Sequence, residues 1–229
     1  MNDSDRLLAA VLAGEVQIVT VDPGGQVRPG ADSGLVVLSG AFNPLHGGHE
    51  GMLRAATRVT GRSGVFELSV VNVDKPELTE HQVRERISQF AGRYTALISR
   101  APTFVEKSRL MPGSTFVIGY DTAVRLFDDG YYPPYEPQTD PDDTGSATLA
   151  AMSEIRREGC AFVVAGRLTD AGFKTVKDLD VPDGYEALLQ EIPASLFRED
   201  ISSTELRRTH RTAQDRASPR DGDRRDDRT

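Results

Sequence analysis

The sequence predicts an α/β protein, with helices on both faces of a mainly parallel sheet in a three-layer α/β/α arrangement. From Leu35 onward, short apolar runs alternate with segments of helical pattern, and strands that alternate with helices imply right-handed crossovers and a parallel sheet. A glycine-rich connection, residues 40–49, joins the first apolar run to a helical segment. The chain has 229 residues, 38% of them hydrophobic, enough for one sizeable core. No apolar run approaches the roughly 20 residues of a membrane-spanning helix.

The elements follow in order. Residues 4–14 have the pattern of a short helix and Val16 to Val21 that of a strand, before a turn at Asp22-Pro23-Gly24-Gly25. Residues 1–34 are therefore expected to form a short N-terminal extension, too small to fold alone. Strand 35–39 leads to helix 47–60, strand 66–72 to helix 79–91, strand 95–99 to helix 103–110, and strand 115–119 to helix 121–127. Helix 147–158 precedes strand 161–166, strand 188–192 follows, and helix 202–209 closes a domain spanning 35–210. Residues 211–229 mix Arg and Asp with almost no apolar residues, which predicts a disordered charged tail. Asp128 to Gly145, with Tyr131-Tyr132-Pro133-Pro134-Tyr135 at its start, is long for a loop and reads equally as a lid or a surface insertion.

Composition excludes several classes. The formal net charge of −8 argues against a partner such as nucleic acid, which favours basic surfaces. The single cysteine, Cys160, rules out an intramolecular disulfide and is expected to be a buried, inert thiol. No basic stretch followed by an apolar core opens the chain, so no signal peptide, no membrane and a cytoplasmic location are expected.

The chemistry concentrates in Gly40-Ala41-Phe42-Asn43-Pro44-Leu45-His46-Gly47-Gly48-His49. A strand handing over to a helix is a natural anion site, because the N–H groups and dipole of the helix start favour negative charge. Gly40 lacks a Cβ and permits close approach to the backbone. Pro44 stiffens the turn. His46 and His49 are three apart, so a helical turn aims both the same way. Imidazoles beside polyphosphate tend to be protonated and can stabilise charge building on an attacked phosphorus.

Three weaker segments accompany it. Thr115-Phe116-Val117-Ile118-Gly119-Tyr120-Asp121 reads as a buried strand ending in Gly-x-Asp, where Asp121 either accepts from ribose hydroxyls or caps the next helix. Ile201-Ser202-Ser203-Thr204-Glu205-Leu206-Arg207 reads as a capping box, Ser202 with Glu205, whose arginine suits two-pronged phosphate binding. Asn72 and Lys75 follow the second strand. Lys75 is either a phosphate contact or an exposed lysine before Pro76. Arg167 sits at another strand end. Phe104 and Tyr120 are aromatic candidates for base stacking, with core packing the default for Phe104.

Residues 40–49 match every position of the signature G-x-(F/Y)-(D/N)-P-x-(H/T)-x-G-H, and residues 201–207 match I-S-S-T-x-x-R in full. Over Leu35 to His210 the chain thus resembles the nucleotidylyltransferase superfamily, most closely the nicotinamide or nicotinate mononucleotide adenylyltransferases. The resemblance implies a Rossmann-like fold and transfer of AMP from ATP to a mononucleotide phosphate, giving a dinucleotide of the NAD type and pyrophosphate. It implies catalytic roles for His46, His49 and Arg207. Nucleotide binding falls to Gly40, Phe42, Gly48, Gly119, Asp121, Ser202, Ser203 and Thr204, and acceptor binding to Asn72, Lys75 and Arg167. Mg²⁺ would ride on the ATP phosphates without a dedicated protein cage. Tryptophan is absent, so Tyr132 or Phe104 would replace the ring-stacking tryptophan of many such enzymes. Adenylyl or cytidylyl transfer to another phosphorylated acceptor, a retired nucleotide-binding module, and a homo-oligomer all remain compatible with these residues.

Overall fold

Apolar runs far apart in sequence pair into the expected sheet. The computed structural model describes residues 2–73, 76–128, 130 and 146–198. Its strands are β1 (Ile18–Val21), β2 (Val27–Pro29), β3 (Val36–Ser39), β4 (Gly64–Ser69), β5 (Ala96–Ser99), β6 (Thr115–Gly119), β7 (Ala161–Ala165), β8 (Arg167–Thr169), β9 (Gly172–Lys174) and β10 (Leu189–Ile192). Eight of them form one sheet in the order β10-β7-β6-β3-β4-β5-β1-β2. The run from β10 to β5 is parallel, whereas β1 is antiparallel to β5 and to β2. The helices are α1 (Asp3–Ala13), α2 (Gly47–Thr60), α3 (Glu80–Ser88), α4 (Phe104–Leu110), α5 (Tyr120–Leu126) and α6 (Ala147–Arg157).

Burial on both faces explains why the central strands are almost continuously apolar. Val36, Leu38, Phe66, Leu68, Val117 and Val163 face a core shared with Leu8 and Val11 of α1, Leu53 and Ala56 of α2 and Val83 of α3. Val37, Val65, Phe116, Ile118, Phe162 and Val164 face a second core with Ala123 of α5 and Met152 and Ile155 of α6. The strand period of two divides the side chains between these cores. The result is a Rossmann-like α/β/α sandwich.

The position of the site follows from handedness. From β3 the chain moves outward to β4 and β5 with α2 and α3 on one face. It then returns to the other side of β3 for β6, continuing to β7 with α5 and α6 on the opposite face. Right-handed crossovers require that change of face when the direction of winding reverses. The reversal leaves a crevice at the carboxyl ends of β3 and β6, the usual ligand position in such sheets.

Several boundaries differ from expectation. The short N-terminal extension, expected to be too small to fold alone, supplies α1, β1 and β2, and β1 pairs with β5 from Ile18↔Ser99 to Val21↔Ala96. The second parallel strand begins at Gly64 and ends at Ser69; there Ser69 Oγ donates to the Val71 and Ala101 carbonyls, turning the chain out of the sheet. Helix 79–91 stops at Ser88. The β8–β9 hairpin and the one-turn 3-10 helices Val176–Asp178 and Glu186–Leu188 were not anticipated. Helix 202–209, the tail and most of the 128–145 loop lie outside the described residues.

One feature of the second core is polar. Glu67 on β4 is 0% exposed, and its carboxylate receives both Lys107 Nζ of α4, 2.8 Å from each oxygen, and Ser99 Oγ at 2.5 Å. It interrupts the run Val65-Phe66-Glu67-Leu68 and ties α4 to two strands.

Candidate active site

The connection from β3 to α2 builds the core of the site. A Cβ on Gly40 would lie 2.8 Å from two carbons of the Phe42 ring, so the space this glycine leaves is filled by Phe42. Phe42 takes φ 45°, an uncommon left-handed conformation for a bulky residue, and its ring is 1% exposed. It meets Phe66, Phe90 and His49 edge-on at 5.1–5.3 Å. Its ring is therefore the floor under His49.

His46 is the N-cap of α2 with extended backbone. Its N–H donates to His49 Nδ1 at 3.3 Å, and the two rings stack with centroids 3.7 Å apart and planes at 25°. Both histidines are half-buried. An Nδ1 that accepts carries no proton, so in this contact the ring N–H is the one on Nε2. The helix cap itself thus uses one nitrogen of His49. Gly47 and Gly48 form the first turn of α2, and a Cβ at Gly47 would meet nothing within 4 Å.

Two side chains at the end of α3 hold this connection from outside. Gln89 Nε2 donates to the Phe42 carbonyl at 2.9 Å, and Gln89 Oε1 accepts from Leu45 N–H at 2.7 Å. Arg86 donates to the Ala41 carbonyl at 3.1 Å. Glu50, one residue beyond His49, is paired with Arg93.

The neighbouring strand ends supply the other groups. Gly119 is the N-cap of α5 and has open space where a Cβ would stand. Asp121 lies in the first turn of α5, not at its cap, and is ion-paired with Arg167 of β8. The structure thus brings together two groups assigned from sequence to different ligands, with both side chains roughly half exposed. Tyr120 donates to the Asp178 carbonyl at 3.3 Å. The Asp178 carboxyl is held below its ordinary range by the Thr175 N–H and by Lys174. Asn72 is exposed on the loop after β4. Phe104 is partly buried and packs at 5.3 and 5.4 Å on Phe116 and Phe162 against the second core, in line with the default expected for it. Cys160 is a buried free thiol whose Sγ donates to the Met111 carbonyl at 3.4 Å, and burial raises its pKa.

Lys75, Tyr132, Ser202, Ser203, Thr204 and Arg207 lie outside the described residues. The chain leading toward the 201–207 motif is described as far as Arg198. Phe197 packs on α2, where a Cβ on Gly51 would approach its ring to 3.0 Å. Gln89 and Arg86 escaped the sequence reading because their partners lie more than forty residues away. The sequence hint for Glu67 was an acid inside an apolar run. Among the described residues no group of three or more His, Cys, Asp or Glu is arranged to hold a metal ion, and no helix is long and apolar enough to cross a membrane.

Comparison with models of known protein families finds no match to this chain, and comparison with curated proteins finds none.

Proposed function

We infer that this protein is a nucleotidylyltransferase that moves the adenylyl group of ATP to the phosphate of nicotinamide or nicotinate mononucleotide. The observation that carries the reading is the stacked His46–His49 pair at the start of α2, within a complete Gly40–His49 signature. This signature stands at the carboxyl end of β3, beside β6, where the winding reverses. The full Ile201–Arg207 signature supports it from sequence.

The reaction needs no protein nucleophile. An oxygen of the acceptor phosphate, anionic at neutral pH, attacks the α-phosphorus in line. The bond to the bridging oxygen breaks, and pyrophosphate departs with the electron pair. Catalysis then consists of positioning and charge stabilisation. His49 Nε2–H and the N–H groups of the α2 start are donors suited to the α-phosphate oxygens in flight. Ser202, Ser203, Thr204 and Arg207 would hold the leaving phosphates. Mg²⁺ belongs to the substrate, arriving on triphosphate oxygens. Asp121 and Arg167 would exchange their mutual ion pair for ribose and phosphate contacts.

The test is pyrophosphate release with Mg-ATP against nicotinamide mononucleotide, nicotinate mononucleotide, FMN and phosphopantetheine, with CTP replacing ATP in a parallel series. Release with a pyridine mononucleotide, and appearance of the dinucleotide, is the expected result. Release with another acceptor or only with CTP moves the branch. ATP binding without release in any arm overturns the enzymatic reading in favour of a nucleotide-binding module.

A further inference from the structure

Beside Arg86, which reaches the Ala41 carbonyl, one side-chain amide from α3 makes two hydrogen bonds to the histidine-bearing connection. Gln89 is the C-cap of α3, beyond both sequence signatures. Its Oε1 accepts from Leu45 N–H at 2.7 Å and its Nε2 donates to the Phe42 carbonyl at 2.9 Å. A primary amide offers a donor and an acceptor side by side at any pH, so Gln89 pairs with the connection as a neighbouring strand would. The two bonded residues bracket the turn. Phe42 takes left-handed backbone beneath His49, and Leu45 immediately precedes the N-cap His46, whose N–H meets His49. Nε2 also reaches the Arg86 carbonyl at 3.3 Å, which anchors the amide to its own helix.

We propose that Gln89 is a positioning residue for phosphoryl chemistry, setting His46 and His49 through the backbone of residues 42–45; this rests on the transferase reading above. The two bonds of Gln89 to the connection both run to peptide groups. Asparagine is one methylene too short to make both bonds from the same Cα. Glutamate has the right length but, when ionised, only accepts, so it opposes the Phe42 carbonyl with negative charge. Once protonated, it regains an O–H donor beside a carbonyl acceptor and restores both bonds. The charged or titratable groups on the adjoining elements include Glu80, His81, Arg84, Glu85 and Arg86 on α3, His46, His49, Glu50, Arg54 and Arg58 on α2, and Arg93 and Tyr94 beyond α3. Their own titration is common to the wild type and the variant, so the ratio isolates the carboxyl placed at residue 89, while these neighbours set the pH at which it protonates.

The experiment is steady-state kinetics of Gln89→Ala and Gln89→Glu across pH, with Leu45 amide exchange measured by NMR on the same proteins. Displacing catalytic groups by about 1 Å costs about 10²-fold in rate, so Gln89→Ala should lower kcat by roughly that factor with KM for ATP changed far less. Gln89→Glu should be as impaired at neutral pH, and its kcat relative to wild type should climb as pH falls. The Leu45 amide should exchange faster in Gln89→Ala while amides of β3 stay protected. Wild-type kcat in Gln89→Ala, or a flat Gln89→Glu to wild-type ratio across pH, overturns the proposal. Wild-type protein that releases no pyrophosphate in any arm overturns the transferase reading instead. The Leu45 exchange rate then still decides the clamp, and an unchanged rate in Gln89→Ala refutes it.

Discussion

His49 is tied into the start of its own helix. Nδ1 accepts the His46 N–H and fixes the ring, and the proposed chemistry assigns the donor role to Nε2. Replacing it with alanine removes both, together with the edge contact to Phe42. The His49→Ala variant should lose about 10²–10³-fold in kcat, the scale seen when one transition-state donor is removed. Its folding stability should fall by only about 1 kcal/mol, the net worth of an ordinary hydrogen bond. Kinetics and thermal unfolding on the same preparation check both halves. Near-normal turnover would remove His49 from the mechanism. The motif was legible as a string of residue types. That Gly40 makes room for Phe42 was not, since the ring folds back on its own chain only in three dimensions.

Helix α4 shows how an element can be tied down by charge inside a core. Lys107 is 4% exposed and Glu67 is 0% exposed, and Ser99 shares the carboxylate. Removing one member of such a pair leaves an uncompensated charge and costs about 3–5 kcal/mol, whereas removing both charges costs far less. Lys107→Met should therefore destabilise the protein by about that amount in urea unfolding. Glu67→Gln with Lys107→Met, which keeps an acceptor for Ser99, should recover most of the loss. Equal instability of the single and double variants would show that packing, not the unpaired carboxylate, sets the cost. The helix boundaries themselves were largely readable. Thr79 with Gln82 and Thr103 with Glu106 form the capping boxes that start α3 and α4.

At the scale of the molecule, the sheet does not end at β5. Strands β1 and β2 extend it antiparallel, and Leu8 and Val11 of α1 cover the core on that side. Deleting residues 1–30 would leave β5 as an open edge beside uncovered apolar side chains, a template for aggregation. The deletion should lower Tm and shift the protein to large species in size-exclusion chromatography. A truncated chain that stays monodisperse with unchanged Tm would show the segment to be dispensable. Pairing between residues 18–21 and 96–99 is hard to foresee, because a four-residue strand carries no mark of its partner.

Local order was set by the sequence itself: alternating periodicities, helix caps and turn residues act within a few positions of one another, and they yielded the α/β class and the parallel core. The chemical character of residues 40–49 was likewise readable, because it depends on residue type and spacing. Tertiary structure alone decided that β6 lies beside β3, that Asp121 meets Arg167, and that Gln89 holds the backbone ahead of His46. These depend on which distant segments become neighbours, and that is settled by packing two apolar faces at once and by the handedness of the crossovers, which no local pattern encodes.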